Sequence, residues 1–179
     1  MLAQLAAKYG SDKVYKHGYI PVYERLFNGL KPRCVLEIGI GYPELMQRQV
    51  PDGVQYTVGA GLYMWAEMWP DAEILGIDIR EDVLVNTGQI SSFCVNQSDP
   101  VAMCEFAEEY GPFDIVIDDG SHVLSDQLCS AVVLLPATTS IYVVEDVVPD
   151  NGLALQGKLG GVFMQCGKCY DDNLLVVMK

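Results

Sequence analysis

The sequence predicts an α/β fold: a doubly wound sheet of seven strands, mostly parallel, with an antiparallel hairpin at its C-terminal end. Three observations carry that prediction. Short runs rich in Val, Ile and Leu alternate with segments of helical spacing. The runs are almost continuously apolar, the pattern of strands covered by helices on both faces. Polar residues collect directly after five of them, and in a parallel sheet those positions share one edge. Open α/β sheets bind ligands outside the carboxyl ends of their strands.

Residues 1–33 are expected to form a helical arm packed on the core. Ile20, Tyr23, Phe27 and Leu30 recur at intervals of three and four. This arm holds six basic residues (Lys8, Lys13, Lys16, Arg25, Lys31, Arg33) against Asp12 and Glu24, a net +4 in a chain of net charge -13. The remaining body, 34–179, is therefore strongly acidic. A basic arm fits such a body, and a cluster of acids there fits a cation.

The body carries the strands. Cys34-Val35-Leu36-Glu37-Ile38 is the first and ends in Gly39 and Gly41. Leu62, Trp65 and Trp69 then mark a helix. The second strand is 73–79 and includes Asp78; the third is 92–95, followed by Asn96 and Gln97. Asp99-Pro100 reads as an N-cap with proline at the first helical position, ahead of Met103, Phe106 and Tyr110. The fourth strand, 113–117, leads into Asp118, Asp119 and His122. Leu124, Leu128, Val132 and Leu135 form the next apolar stripe. The fifth strand, 140–144, leads into Glu145 and Asp146. Runs 162–166 and 174–178 are joined by a short polar link and predict the hairpin.

With 179 residues, half of them hydrophobic, the chain has enough material for one compact domain, arm and core together. Its negative charge disfavours a nucleic-acid or anionic-membrane partner. The longest apolar stretch, 131–144, is interrupted by Pro136 and falls short of the roughly 20 residues of a membrane span. The first residues lack the basic start and apolar run of a secretory signal, and six cysteines in this context read as reduced thiols. Both point to the cytoplasm. Cys166-Gly167-Lys168-Cys169 is a lone CxxC in a chain with two histidines, and reads as hairpin link in preference to a zinc or redox site.

Each polar strand end has a chemical reading beside a plain one. Gly39 and Gly41 let backbone approach a ligand, or simply make a tight turn. Position 44, where a dinucleotide fingerprint wants a third glycine, is Glu44, and no phosphate-binding Gly-Lys-Ser/Thr follows. Acids beside the turn repel pyrophosphate and suit a cofactor with a positive centre. Asp78 suits the two hydroxyls of a ribose, or a helix N-cap. Asn96 matches an adenine edge or a turn. Three carboxylates at two neighbouring strand ends make a hard oxygen site for Mg or Mn. An imidazole three residues beyond Asp119 suits a general base, or a helix-capping histidine.

Taken together these motifs resemble the Rossmann-like class I S-adenosylmethionine-dependent methyltransferases. More narrowly they resemble the macrolide deoxysugar O-methyltransferases of the mycinamicin and macrocin type. The matching residues are 8–13 (Lys-Tyr-Gly-Ser-Asp-Lys) with His17 and Tyr19, then 36–41, Met64-Trp65, 76–79, 96–99, 117–122 and 142–146. The resemblance implies that Glu37, Gly39 and Gly41 line the methionine side of S-adenosylmethionine, with Asp118 also counted in the cofactor site. It implies Asp78 on the ribose and Asn96 or Gln97 at the adenine. Asp119, Glu145 and Asp146 would hold the magnesium, His122 would be the catalytic base, and 13–19 would lie over the site. The chain departs from the family at Asn96, where Asp is usual, in the 41–61 loop, and in lacking the auxiliary domain. It is expected to act as the catalytic domain alone.

The predicted function is Mg-dependent O-methylation of a hydroxyl on a sugar or glycosylated small molecule, with a homo-oligomer left open. An enzyme that cleaves S-adenosylmethionine without an acceptor needs no acidic triad. A nucleoside-binding module needs neither triad nor His122. A dehydrogenase wants the third glycine.

Overall fold

The computed structural model describes residues 1–167 and 169–179; Lys168, inside the CxxC, lies outside the described residues. Three short helices open the chain: α1 (Leu2–Tyr9), α2 (Asp12–Tyr15) and α3 (Ile20–Leu26). The core follows as β1 (Cys34–Ile38), α4 (Pro43–Met46), α5 (Ala60–Met68), β2 (Glu73–Asp78), β3 (Ile90–Cys94), α6 (Pro100–Tyr110) and β4 (Phe113–Asp118). It ends with α7 (Leu124–Ala137), β5 (Thr138–Val144), α8 (Pro149–Leu159), β6 (Val162–Gln165) and β7 (Asn173–Met178).

All seven strands join one sheet in the order β3-β2-β1-β4-β5-β7-β6. β1 to β5 are parallel, and β7 runs antiparallel between β5 and β6. The predicted hairpin is therefore present, with β7 inserted and β6 at the edge. Strand order reverses at β1, which pairs with β2 on one side and β4 on the other. The crevice at such a reversal is where open α/β sheets place their ligands. The register sets the functional ends level there: Ile38 lies opposite both Ile77 and Asp118, and Asp118 opposite Val144.

Strand side chains alternate between two cores. Val35, Ile74, Ile115 and Ile141 face Leu2, Tyr23, Phe27, Leu62 and Trp65. Leu36, Leu75, Val116 and Tyr142 face Met103, Phe106, Ala131, Leu134 and Leu155. The arm and α5 thus cover one face, and α6, α7 and α8 the other. Fully burying a side chain of this kind contributes about 1.5–3 kcal/mol. The arm shares its core with the sheet through the edge-on rings of Tyr23, Phe27 and Trp65.

Three expectations shift. β3 begins at Ile90, two residues early, because reciprocal bonds between the Thr87 and Ile90 backbones turn the chain straight into the sheet. β5 begins at Thr138, directly where α7 ends, with Pro136 inside the last helical turn. The buried face of α7 is Gln127, Ser130, Ala131 and Leu134, while Val132 is exposed. The apolar stripe read from the sequence is rotated by about one residue from the true inner face, which is half polar. The Asp99 cap stands: its carboxylate accepts from Val101 N at 2.9 Å and Ala102 N at 3.3 Å.

Candidate active site

A cavity of about 410 Å³ opens at the reversal point, lined by residues from β1, β2 and the loops after β3, β4 and β5. Glu37, Gly39, Gly41, Asp78, Asn96, Gln97, Asp119, His122 and Asp146 all line it. The two remaining predicted site residues, Asp118 and Glu145, lie behind its wall.

The β1 end is shaped by close backbone approach. Gly39 has φ +89, and a Cβ there would fall 2.1 Å from the Asp119 carbonyl oxygen, so only glycine fits between these strand ends. Asp78 is tied into the same turn. Its Oδ2 accepts from Ile40 N at 2.8 Å and its Oδ1 from Arg80 N at 3.0 Å. Arg80 in turn stacks on the Tyr42 ring at 4.6 Å. Glu37 is buried beneath the turn, with Trp65 Nε1 donating to its Oε2 at 3.1 Å. A Cβ on Gly61 would strike the same carboxylate at 2.2 Å, so the glycine leaves room for it. Burial lifts the Glu37 carboxyl to about 7, against the pull of Lys13 and Trp65.

The acidic end is organised by the arm. Lys13 is buried, and its Nζ lies 2.5 Å from Asp119 Oδ2, 2.9 Å from Glu145 Oε2 and 3.4 Å from Glu37 Oε1. Burial opposes its charge, but the surrounding carboxylates outweigh burial and hold the ammonium well above its ordinary range. Asp119 shows the reverse balance. Burial raises it, and Lys13 with His122 brings it below the usual carboxylate range. Glu145 sits deeper and is pushed well up, by burial first and by Asp119 second. Tyr23 Oη donates to its second oxygen.

Asp146 and His122 are, among the described residues, the two non-glycine residues with left-handed backbone, at φ 51 and φ 57. Such positions cost on the order of 1–3 kcal/mol and persist where the surroundings fix them, commonly at functional sites. Tyr19 fixes Asp146 by donating its Oη to Oδ1 at 2.5 Å and accepting from Asp146 N at 3.1 Å. His122 Nε2 lies 3.8 Å from Asp146 Oδ2. One ligand atom each of Asp119, His122 and Asp146 fall within 4.8 Å of one another. Glu145 stands outside that group, and Lys13 and Tyr23 engage its two oxygens.

Two of the expected cofactor residues have protein partners for their side chains. Asp118 is 1% exposed and takes hydrogen bonds from Gln97, Ser130 and Tyr142, so it supports the wall without contacting the cavity. Gln97 lines the wall, but both ends of its amide are engaged by protein. Asn96 reaches the cavity while its Oδ1 accepts from Ser98 N and Oγ. The sequence reading places Tyr23 only in the apolar pattern of the arm and does not single out Gln127 or Ser130. An aromatic or polar residue on a core-facing stripe is their only local signal.

No protein-family model matches the chain. Several known proteins do. The 8-demethyl-8-(2-methoxy-alpha-L-rhamnosyl)-tetracenomycin-C 3'-O-methyltransferase of Streptomyces olivaceus is 38% identical over 151 residues, which cover 82% of this chain and 36% of that one. The mycinamicin VI 2''-O-methyltransferase of Micromonospora griseorubida is 33% identical over 154 residues, covering 82% and 36%. A solved structure of the MycE methyltransferase from the mycinamycin biosynthetic pathway, in complex with Mg, SAH and mycinamycin VI, superposes with a TM-score of 0.69 at 32% identity. It covers 81% of this chain and 36% of that one. The chain thus spans little more than a third of the length of these relatives. The N-methyltransferase NodS from Bradyrhizobium japonicum WM9 shares the fold alone, at 11% identity and a TM-score of 0.51. With the β3-β2-β1-β4-β5-β7-β6 sheet and relatives at 33–38% identity, the chain carries the class I methyltransferase fold and is homologous, over 82% of its length, to the macrolide and tetracenomycin sugar O-methyltransferases.

Proposed function

We propose that this chain transfers the methyl group of S-adenosylmethionine to a hydroxyl of a sugar or glycosylated small molecule, assisted by Mg or Mn. One observation carries the reading. The cavity joins a glycine turn and Asp78 at one end to Asp119, His122 and Asp146 at the other. A cofactor site alone has no use for the second group.

The donor set fits a hard divalent cation. Asp119 and Asp146 offer carboxylate oxygens, the first kept ionised by Lys13. These two residues would hold the ion, and Glu145, engaged by Lys13, would support Asp119 from behind. When bound, the cation lowers the acceptor hydroxyl's pKa and fixes its position, while the sulfonium supplies an already activated methyl group.

The chain's own residues do the rest. Asp78 accepts the ribose hydroxyls with the lone pairs its backbone donors leave free. Gly39 and Gly41 keep side chains out of the methionine path. Glu37 sets a carboxyl beneath the turn, which in its ionised form matches a positive centre. His122 Nε2 accepts the hydroxyl proton, and Asp146 beside it stabilises the imidazolium. The described residues include no helix long and apolar enough to cross a membrane. With a small-molecule acceptor, that fits a cytoplasmic enzyme.

The test is incubation with methyl-labelled S-adenosylmethionine and a panel of deoxysugar glycosides, with Mg²⁺, with Mn²⁺ and with chelator. Label is expected in the glycoside, suppressed by chelator and restored by either ion. Full transfer in chelator refutes the metal-assisted reading. Consumption of cofactor with no labelled glycoside favours a cleaving enzyme.

A further inference from the structure

The family resemblance implies Asn96 or Gln97 at the adenine of a bound cofactor; the structure gives the Gln97 amide other partners. Nε2 donates to Asp118 Oδ1 at 3.1 Å, and Oε1 accepts the Ser121 N–H at 2.6 Å. Only 8% of the residue is exposed. Asp118 is anchored in turn from the core, where Ser130 Oγ on α7 and Tyr142 Oη on β5 both donate to its Oδ2. A continuous set of hydrogen bonds therefore runs from the helix layer, through Asp118 and Gln97, to the 119–122 loop. The loop closes directly on the amide: a Cβ added to Gly120 would fall 2.0 Å from Gln97 Oε1.

That loop begins with Asp119 and ends with His122 in its left-handed conformation. Ser121, the residue whose N–H Gln97 holds, immediately precedes His122. We infer that Gln97 is a positioning residue: its amide bridges the ends of β3 and β4 and fixes the backbone that presents Asp119 and His122 to the acceptor hydroxyl. An amide answers both demands of the position, since it donates to a carboxylate on one side and accepts a backbone N–H on the other. A hydrocarbon there removes one donor from the buried Asp118 carboxylate and the acceptor of the part-buried Ser121 N–H. The kinetic consequence rests on the methyl-transfer reading above; the bridge itself rests on geometry.

Two variants test it. Gln97→Met keeps length and removes both hydrogen bonds. Gly120→Ala keeps the amide and displaces it, because the added methyl meets the flexible end of the side chain. In ¹⁵N-resolved spectra, both are expected to speed hydrogen exchange at the Ser121 amide at least tenfold, with the Asp119 amide, bonded to the Ile38 carbonyl, little changed. Affinity for S-adenosylhomocysteine, measured by calorimetry, should stay within about threefold. Misplacing a catalytic group by about 1 Å costs up to about 10²-fold, so kcat should fall by roughly 10–100-fold with KM for the acceptor nearly constant. Because both variants break one bridge, the double variant should be no slower than the worse single one. A Ser121 amide unmoved in Gln97→Met overturns the inference, and so does a loss of cofactor affinity matching the loss in kcat, which returns Gln97 to the adenine. If the wild-type protein methylates no acceptor, the functional reading fails and the Ser121 amide alone decides the bridge.

Discussion

The two ends of the cavity are built on different scales of the chain. At the glycine-turn end, Asp78 takes its hydrogen bonds from the backbones of Ile40 and Arg80, groups of the loop after the neighbouring strand and of its own turn. At the acidic end, no carboxylate is held by its own loop alone. Asp119 and Glu145 meet Lys13, more than a hundred positions earlier, and Asp146 meets Tyr19. The difference follows from charge. One carboxylate at a strand end is satisfied by backbone N–H groups, whereas three in one crevice need a cation and hydroxyl donors. The basic arm brings both.

The comparison breaks most sharply at the chemistry. His122→Ala should lower kcat by about 10²–10⁴-fold, the usual loss for a missing general base, with cofactor affinity at the other end unchanged. Single-turnover rates beside calorimetric titration of S-adenosylhomocysteine measure the two separately. Normal turnover removes the base assignment and leaves His122 as a loop residue. Lys13→Met comes next. It strands Asp119, Glu145 and Glu37 without their shared ammonium, and breaking a buried pair typically costs about 3–5 kcal/mol. Urea denaturation should show that loss. A cost below about 1 kcal/mol would mean that the arm merely covers the site.

The same contrast explains what was legible in the sequence. The strands, and the polar ends they bring to one edge, could be read because Val, Ile and Leu runs are a local signal. Gly39, Asp78 and the Asp99 cap could be read because glycine turns, strand-end acids and caps act within a few residues. The inner face of α7 could not. Apolar spacing selects Leu124, Leu128, Val132 and Leu135, yet Gln127 and Ser130 are buried. Ser130 Oγ serves Asp118, and Gln127 Nε2 donates to the Glu145 carbonyl at 3.1 Å. A helix that supports a site turns polar groups inward, so hydrophobic periodicity misplaces it. Lys13 was legible only as part of a basic arm lying over the site; that its ammonium sits among three carboxylates emerges only from the fold.

At the cofactor end the expected losses are smaller and confined to binding. On the proposed reading, Asp78→Ala would remove charge-assisted hydrogen bonds to a ribose, on the scale of about 1–3 kcal/mol. Calorimetry should therefore find S-adenosylmethionine affinity reduced by about tenfold or more, with divalent-ion binding at Asp119 and Asp146 unaffected. Unchanged cofactor affinity removes the ribose assignment.

Glu37 joins the two ends, with Trp65 on one oxygen and Lys13 near the other, and it sharpens the comparison through pH. Its carboxyl is lifted from 4.5 to about 7 in the folded protein, chiefly by burial. The folded state therefore binds this proton more tightly than the unfolded state does. The stabilisation is complete below the unfolded value and is lost as pH rises through about 7. At about 1.4 kcal/mol per pKa unit, the window could carry on the order of 2 kcal/mol after relaxation around a buried group. Glu37→Gln keeps the shape and an acceptor for Trp65 but cannot titrate. Urea unfolding of both proteins between pH 5 and pH 8, without ligands, isolates the group. The wild type should lose stability relative to the variant as pH rises, with most of the change between pH 5 and pH 7.5. A difference that stays flat across that range means Glu37 is ionised throughout, held by Lys13 strongly enough to overcome its burial.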